Sequence, residues 1–98
     1  MTLRLEMQSM LKASKMLLVF QQERLQHLHQ QHARFAEEID QFIEQFLDRA
    51  REAELHDWKT AKAILLQHST KMIAECAQET KRIQNHIHML TRLLDLPE

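Results

Sequence analysis

Apolar side chains recur along this chain in alternating three- and four-residue steps, the spacing that lines one face of a helix. Labelled as heptads, Leu11, Leu18, Leu25, His32, Ile39, Phe46 and Ala53 take position a. Met7, Ser14, Gln21, Leu28, Phe35, Phe42 and Arg49 take position d. From Leu25 to Phe46 the pattern runs without a slip, as a coiled-coil seam requires. Ala36, Ile43 and Ala50 add an e column. That widens the stripe beyond a two-stranded seam, toward a bundle.

The second half repeats the pattern in another phase. Leu55, Lys62, Ser69, Cys76, Ile83 and Leu90 take a. Leu65, Met72, Glu79, His86 and Leu93 take d, and Leu66, Ile73, Thr80, Ile87 and Leu94 take e. The two registers are offset near residues 50–58. A turn at residues 52–57, with Asp57 as N-cap before Trp58, converts this offset into a helical hairpin. The leading reading is therefore an all-α chain of long amphipathic helices. Helix one covers about residues 3–52 and helix two about residues 57–95, in a single domain over 1–98. Such hairpins assemble into a coiled coil or four-helix bundle.

Two other arrangements compete. One continuous helix with a local register discontinuity is favoured by the helix-forming Arg51, Glu52, Ala53, Glu54 and Leu55. A further break near residues 9–14 would make three helices. Folding the hairpin about residues 52–57 sets Phe35 near Cys76, Ile39 near Met72, Leu28 near Ile83 and Leu18 near Leu93. It sets His32 level with Glu79, and Gln21 near Leu90 and His86. Helix one then outruns helix two and leaves Leu3, Leu5, Met7, Met10 and Leu11 unburied. Pro97 ends helix two after Asp95 and Leu96, because proline disfavours helix at the residue before it.

Composition narrows the function. The chain has 98 residues, no glycine and one proline. Without glycine it carries no Walker loop, dinucleotide fingerprint or primed β-turn. Lys plus Arg is 13 and Asp plus Glu is 14, giving a net charge of −1 spread over both halves. Neither half is a basic arm or an acidic tail. Cys76 stands alone, which excludes an intramolecular disulfide and points to a reducing, intracellular compartment, cytoplasm or nucleus. The longest apolar run, residues 16–20, cannot span a bilayer, and no signal-peptide pattern precedes it.

Candidate chemistry is sparse. His27, His29 and His32 fall near His86 and His88 in the expected hairpin, but only His29 and His32 share a face at i, i+3 spacing. Surface and core-layer histidines are the favoured reading over a metal site, and no cofactor or metal is expected. Gln21, His32, Glu79 and His86 interrupt the apolar seam. Polar residues there set register and partner number at some cost in stability, so these four are read as register-specifying. Ser14, Arg49 and Ser69 interrupt it too.

Asp40, Glu44 and Asp48 form a like-charged column, read as a solvated face. Lys59, Lys62, Lys81 and Arg82 form a mixed basic face on helix two. Cys76 on the apolar stripe reads as a buried thiol, and no nucleophile–base arrangement appears, so no enzyme is expected. Leu17, Leu18, Val19 and Phe20 cannot all face one seam and imply more than one neighbour.

The expected function is a non-enzymatic oligomerisation and scaffolding module that joins or positions other proteins. Its interface residues are Leu11, Leu17, Leu18, Phe20, Leu25, Leu28 and Phe35, continuing through Ile39, Phe42 and Phe46. Helix two adds Leu65, Met72, Ile83 and Leu90. The expected partner is a second copy, as dimer or tetramer. The alternatives are an adaptor or chaperone-like subunit pairing with an unlike helical protein, and a helical scaffold touching lipid or nucleic acid through the basic face. No small-molecule substrate is expected, and the near-zero net charge argues against nucleic acid and membrane. Long Gln- and Met-rich helices of this kind are broadly similar to many coiled-coil families, meiotic chromosome-axis proteins and membrane-bending scaffolds among them. That likeness is one of periodicity and assigns no role to any residue.

Overall fold

The computed structural model describes residues 2–46 and 52–96, Phe46 by its backbone alone. Two helices, α1 (Leu3–Phe46) and α2 (Glu52–Leu94), form an all-α hairpin. With no glycine in the chain and its one proline at position 97, nothing within either helix breaks it. Thr2 starts α1: its Oγ1 accepts the Leu5 N–H at 3.3 Å and its carbonyl accepts the same N–H at 3.1 Å. This is N-cap geometry, and Glu6 in the first turn complements the helix dipole. Glu52 and Glu54 do the same for α2. The end of α2 loosens into a turn at Asp95 and Leu96, as the following Pro97 dictates.

The helix boundaries differ from the expected ones. α2 already runs from Glu52, so Asp57 and Trp58 sit inside it and Asp57 does not cap its start. The physical signal is the acid pair at the start of α2, which favours initiation there by about 0.3–1 kcal/mol per charge. Arg49, Ala50 and Arg51 lie outside the described residues.

Backbone contacts divide the hairpin into two compact units. The first comprises Met1–Leu25 and Glu75–Glu98. Here Arg4 Nη2 donates to the Leu94 carbonyl at 2.7 Å, so a cation meets the negative end of α2 and satisfies one of its orphan acceptors. Cys76 Sγ lies 3.8 Å from the Gln21 carbonyl and 3.6 Å from its Oε1, a weak donor over a polar seam residue. These pairs correct the expected register. Gln21 meets Cys76 rather than Leu90 or His86, and Arg4 rather than Leu18 reaches the last turn of α2.

The second unit is Gln26–Ala74. His32 Nδ1 and Ser69 Oγ share a hydrogen bond of 2.8 Å, so His32 is not level with Glu79. Lys62 donates to Asp40, and Phe42 meets Trp58 edge-on with ring centroids 4.6 Å apart. The displacement from the expected pairing is roughly 15–20 Å along the helix. It follows from the earlier reversal, since moving a turn by one residue slides the opposing helix by two. The first turns of α1 are therefore paired: Met7, Leu11 and Ser14 are half-buried rather than overhanging, whereas Leu3, Leu5 and Met10 stay exposed.

The seam also differs in its columns. On α1 it runs through Met7, Leu11, Ser14, Leu18, Gln21, Leu25, Leu28 and His32, then through Ala36, Ile39 and Ile43. On α2 it uses a and e, not a and d: Cys76, Thr80, Ile83 and Leu90 are buried, and Leu66, Ile73, Ile87 and Leu94 are half-buried. Burying column d would draw the Glu79 carboxylate and the His86 imidazole further out of water, a desolvation cost that column e avoids. Column e presents one polar residue, Thr80, whose hydroxyl donates to its own Cys76 carbonyl at 2.8 Å. Among the described residues no buried polar side-chain atom lacks a partner.

Leu90 is 3% exposed and Leu93 44% exposed. Leu90→Ala is expected to remove about 2–4 kcal/mol of stability and Leu93→Ala less than about 1 kcal/mol in the same hairpin. Urea denaturation of both variants at one low chain concentration measures this, and equal losses would contradict the a/e seam.

Candidate interaction surface

The apolar residues left outside the seam define the candidate site. In the first unit, Leu3, Arg4 and Met7 of α1 and Leu93 and Leu96 near the end of α2 line one concavity. This places the flank of α1 carrying Leu3 and the flank of α2 carrying Leu93 on one side of that unit. Heptad spacing continues the α1 flank through Met10, Leu17 and Phe20, all exposed. It continues the α2 flank through His86 and Met89, also exposed. On the other side of α1, Lys12, Lys15, Met16 and Val19 border a second shallow groove with Gln8 and Leu11.

In the second unit, His27, Gln31, Arg34, Phe35 and Glu38 of α1 line a groove together with Leu65, His68, Ser69 and Met72 of α2. Arg34 and Glu38 pair at 3.2 Å along its wall. Leu65 and Met72 therefore line a face rather than the seam.

The expected interface residues divide between the seam, its edge and the outer surface. Leu11, Leu18, Leu25, Leu28 and Ile39 are half-buried in the seam, and Ile83 and Leu90 are buried in it. Leu17, Phe20 and Leu65 point outward, Phe35 and Met72 stand at the seam edge, and Phe42 is engaged by Trp58. The Phe46 side chain lies outside the described residues.

Of the register-specifying residues, Gln21 and His32 sit in the seam with Cys76 and Ser69 as partners. Glu79 is half-buried at its edge and pairs with Arg82 of its own helix. His86 is exposed, outside the seam. Among the described residues no three His, Cys, Asp or Glu side chains converge in a metal-holding group.

Pairing across the helices also absorbs charge read earlier as free faces. Asp40 of the acidic column holds Lys62, whose half-buried stem lies at a seam position and whose ammonium reaches the rim. Pattern reading missed Thr2 as a cap, although a threonine directly before the first apolar residue is a recognised start signal. It also missed Arg4, because a cap supplied by the opposite helix has no local signature.

Compared with family models, with curated proteins and with solved structures, the chain gives no match. Among the described residues, no helix is long and apolar enough to cross a membrane.

The His32–Ser69 layer is testable as a pair. In a double-mutant cycle with His32→Leu and Ser69→Ala, the coupling energy is expected at about 0.5–1.5 kcal/mol. Chemical denaturation of the four proteins gives this value, and a coupling of zero would show that the bond contributes nothing.

Proposed function

We propose that this chain is a non-enzymatic oligomerisation and scaffolding module, which associates with further helices through the apolar faces outside its seam and so positions other proteins. The supporting observation is surface. The chain exposes 8171 Å². A compact monomer of its 11.8 kDa mass exposes about 5,900 Å². The excess, roughly 2,200 Å², exceeds the area one partner contributes to a standard protein interface, about 800 Å².

The core is correspondingly small. Among the described residues only Cys76, Thr80, Ile83 and Leu90 are buried, all in the first unit. In the second unit the seam residues reach only half-burial, so its hydrophobic stabilisation is incomplete without another neighbour. Leu65 and Met72 supply exposed apolar surface for that neighbour, and Leu93 and Met89 do so in the first unit. A lone buried thiol accords with a reducing intracellular setting.

Sedimentation equilibrium over a wide concentration range, with thermal melts followed by circular dichroism, tests the reading. The expected result is a dimer or tetramer whose melting temperature rises with concentration, because folding and association are linked. A monomer that melts identically at every concentration would sink it.

A further inference from the structure

We infer that the partner is a second copy of this chain, docked antiparallel along the outward stripe of α1 in the first unit. The inference rests on the oligomerisation reading above and specifies its geometry. Glu6, Met10, Ala13, Leu17, Phe20 and Arg24 follow one another in alternating four- and three-residue steps, so they form a second heptad line beside the seam. All six are exposed. Leu3 begins the same line, and its shared concavity with Leu93 and Leu96 fixes which side of the unit the line looks from.

This line is complementary to its own reverse. Antiparallel heptad contacts set each residue of one column against a residue of the other column in the facing helix. Laid against a reversed second copy, Glu6 meets Arg24, Met10 meets Phe20 and Ala13 meets Leu17. Each contact occurs twice about a two-fold axis between Ala13 and Leu17, as an isologous interface requires. Opposite charges close both ends, and the small residue of each central layer faces a large one.

A parallel arrangement would set Glu6 on Glu6 and Arg24 on Arg24, and Ala13 on Ala13 would leave a gap. On the α2 flank, Glu79 and Arg82 pair with each other along their own helix, one charge of each sign. With one acid and one base, the stripe offers no net attraction to phosphate or an anionic lipid surface.

Three variants of the full chain test this by sedimentation equilibrium, with helicity followed by circular dichroism. Leu17→Gln combined with Phe20→Gln alters side chains that are 46% and 61% exposed in the hairpin, so helicity is expected to persist while the dissociation constant rises about a hundredfold or more. Glu6→Arg places two like-charged pairs at the dimer ends, and a rise of about three- to tenfold is expected. Glu6→Arg with Arg24→Glu restores the pairing, and the dissociation constant is expected to return to within about twofold of the parent. An oligomer indifferent to the Leu17 and Phe20 changes, or a double charge exchange that fails to restore association, overturns the antiparallel stripe and leaves the oligomerisation reading standing. A chain that is monomeric at every concentration, as an unlike helical partner would predict, overturns both.

Discussion

Each helix of this hairpin carries three adjacent apolar columns, and a single neighbouring helix covers about two of them. That geometric shortfall governs the rest of the structure. It explains why α1 passes from an a/d to an a/e seam beyond His32, as a helix of about 3.6 residues per turn drifts against a seven-residue repeat. It explains why α2 buries Thr80 and leaves Leu65, Met72 and Leu93 outside. It also leaves an apolar remainder outside the seam of each unit, and the proposed function draws on that remainder.

Within those limits, polar groups decide register. Apolar columns slide past one another at small cost, because one leucine resembles the next. Polar residues in the seam do not slide, since each requires a partner when half-buried. In the first unit Gln21 lies against Cys76, and Arg4 caps the carbonyl of Leu94. In the second, His32 bonds Ser69 and Asp40 holds Lys62. The half-exposed ion pair is worth little energetically. Its contribution is to hold the ammonium of a seam lysine at the rim while the stem stays half-buried.

Much of this architecture was legible along the chain. Two long helices, their reversal near the middle and the stop before Pro97 follow from periodicity and from an interior without glycine or proline. The a column of α2 and most of the α1 seam were also legible, as was the outward character of Leu17 and Phe20. The pairing was not. Any two apolar repeats align at many offsets, and the chain offers two start signals for α2, Asp57 as a cap and the earlier acids Glu52 and Glu54. His86 shares column d with Leu65, Met72 and Leu93 and so has the spacing of a core layer, whereas Glu79 in the same column argues against burying it.

The order of residues by itself determined that this protein is helical, that its helices are amphipathic and too broadly apolar for one partner, and that it carries no glycine-dependent catalytic loop. These are local properties, set by backbone propensity and by the angle between successive side chains. Only the tertiary structure decided which columns meet, which carbonyl Arg4 caps and which apolar residues remain on the surface. Those outcomes depend on pairing Gln21 with Cys76, His32 with Ser69 and Lys62 with Asp40 together. That condition belongs to pairs of residues far apart in the chain, and no local pattern records it.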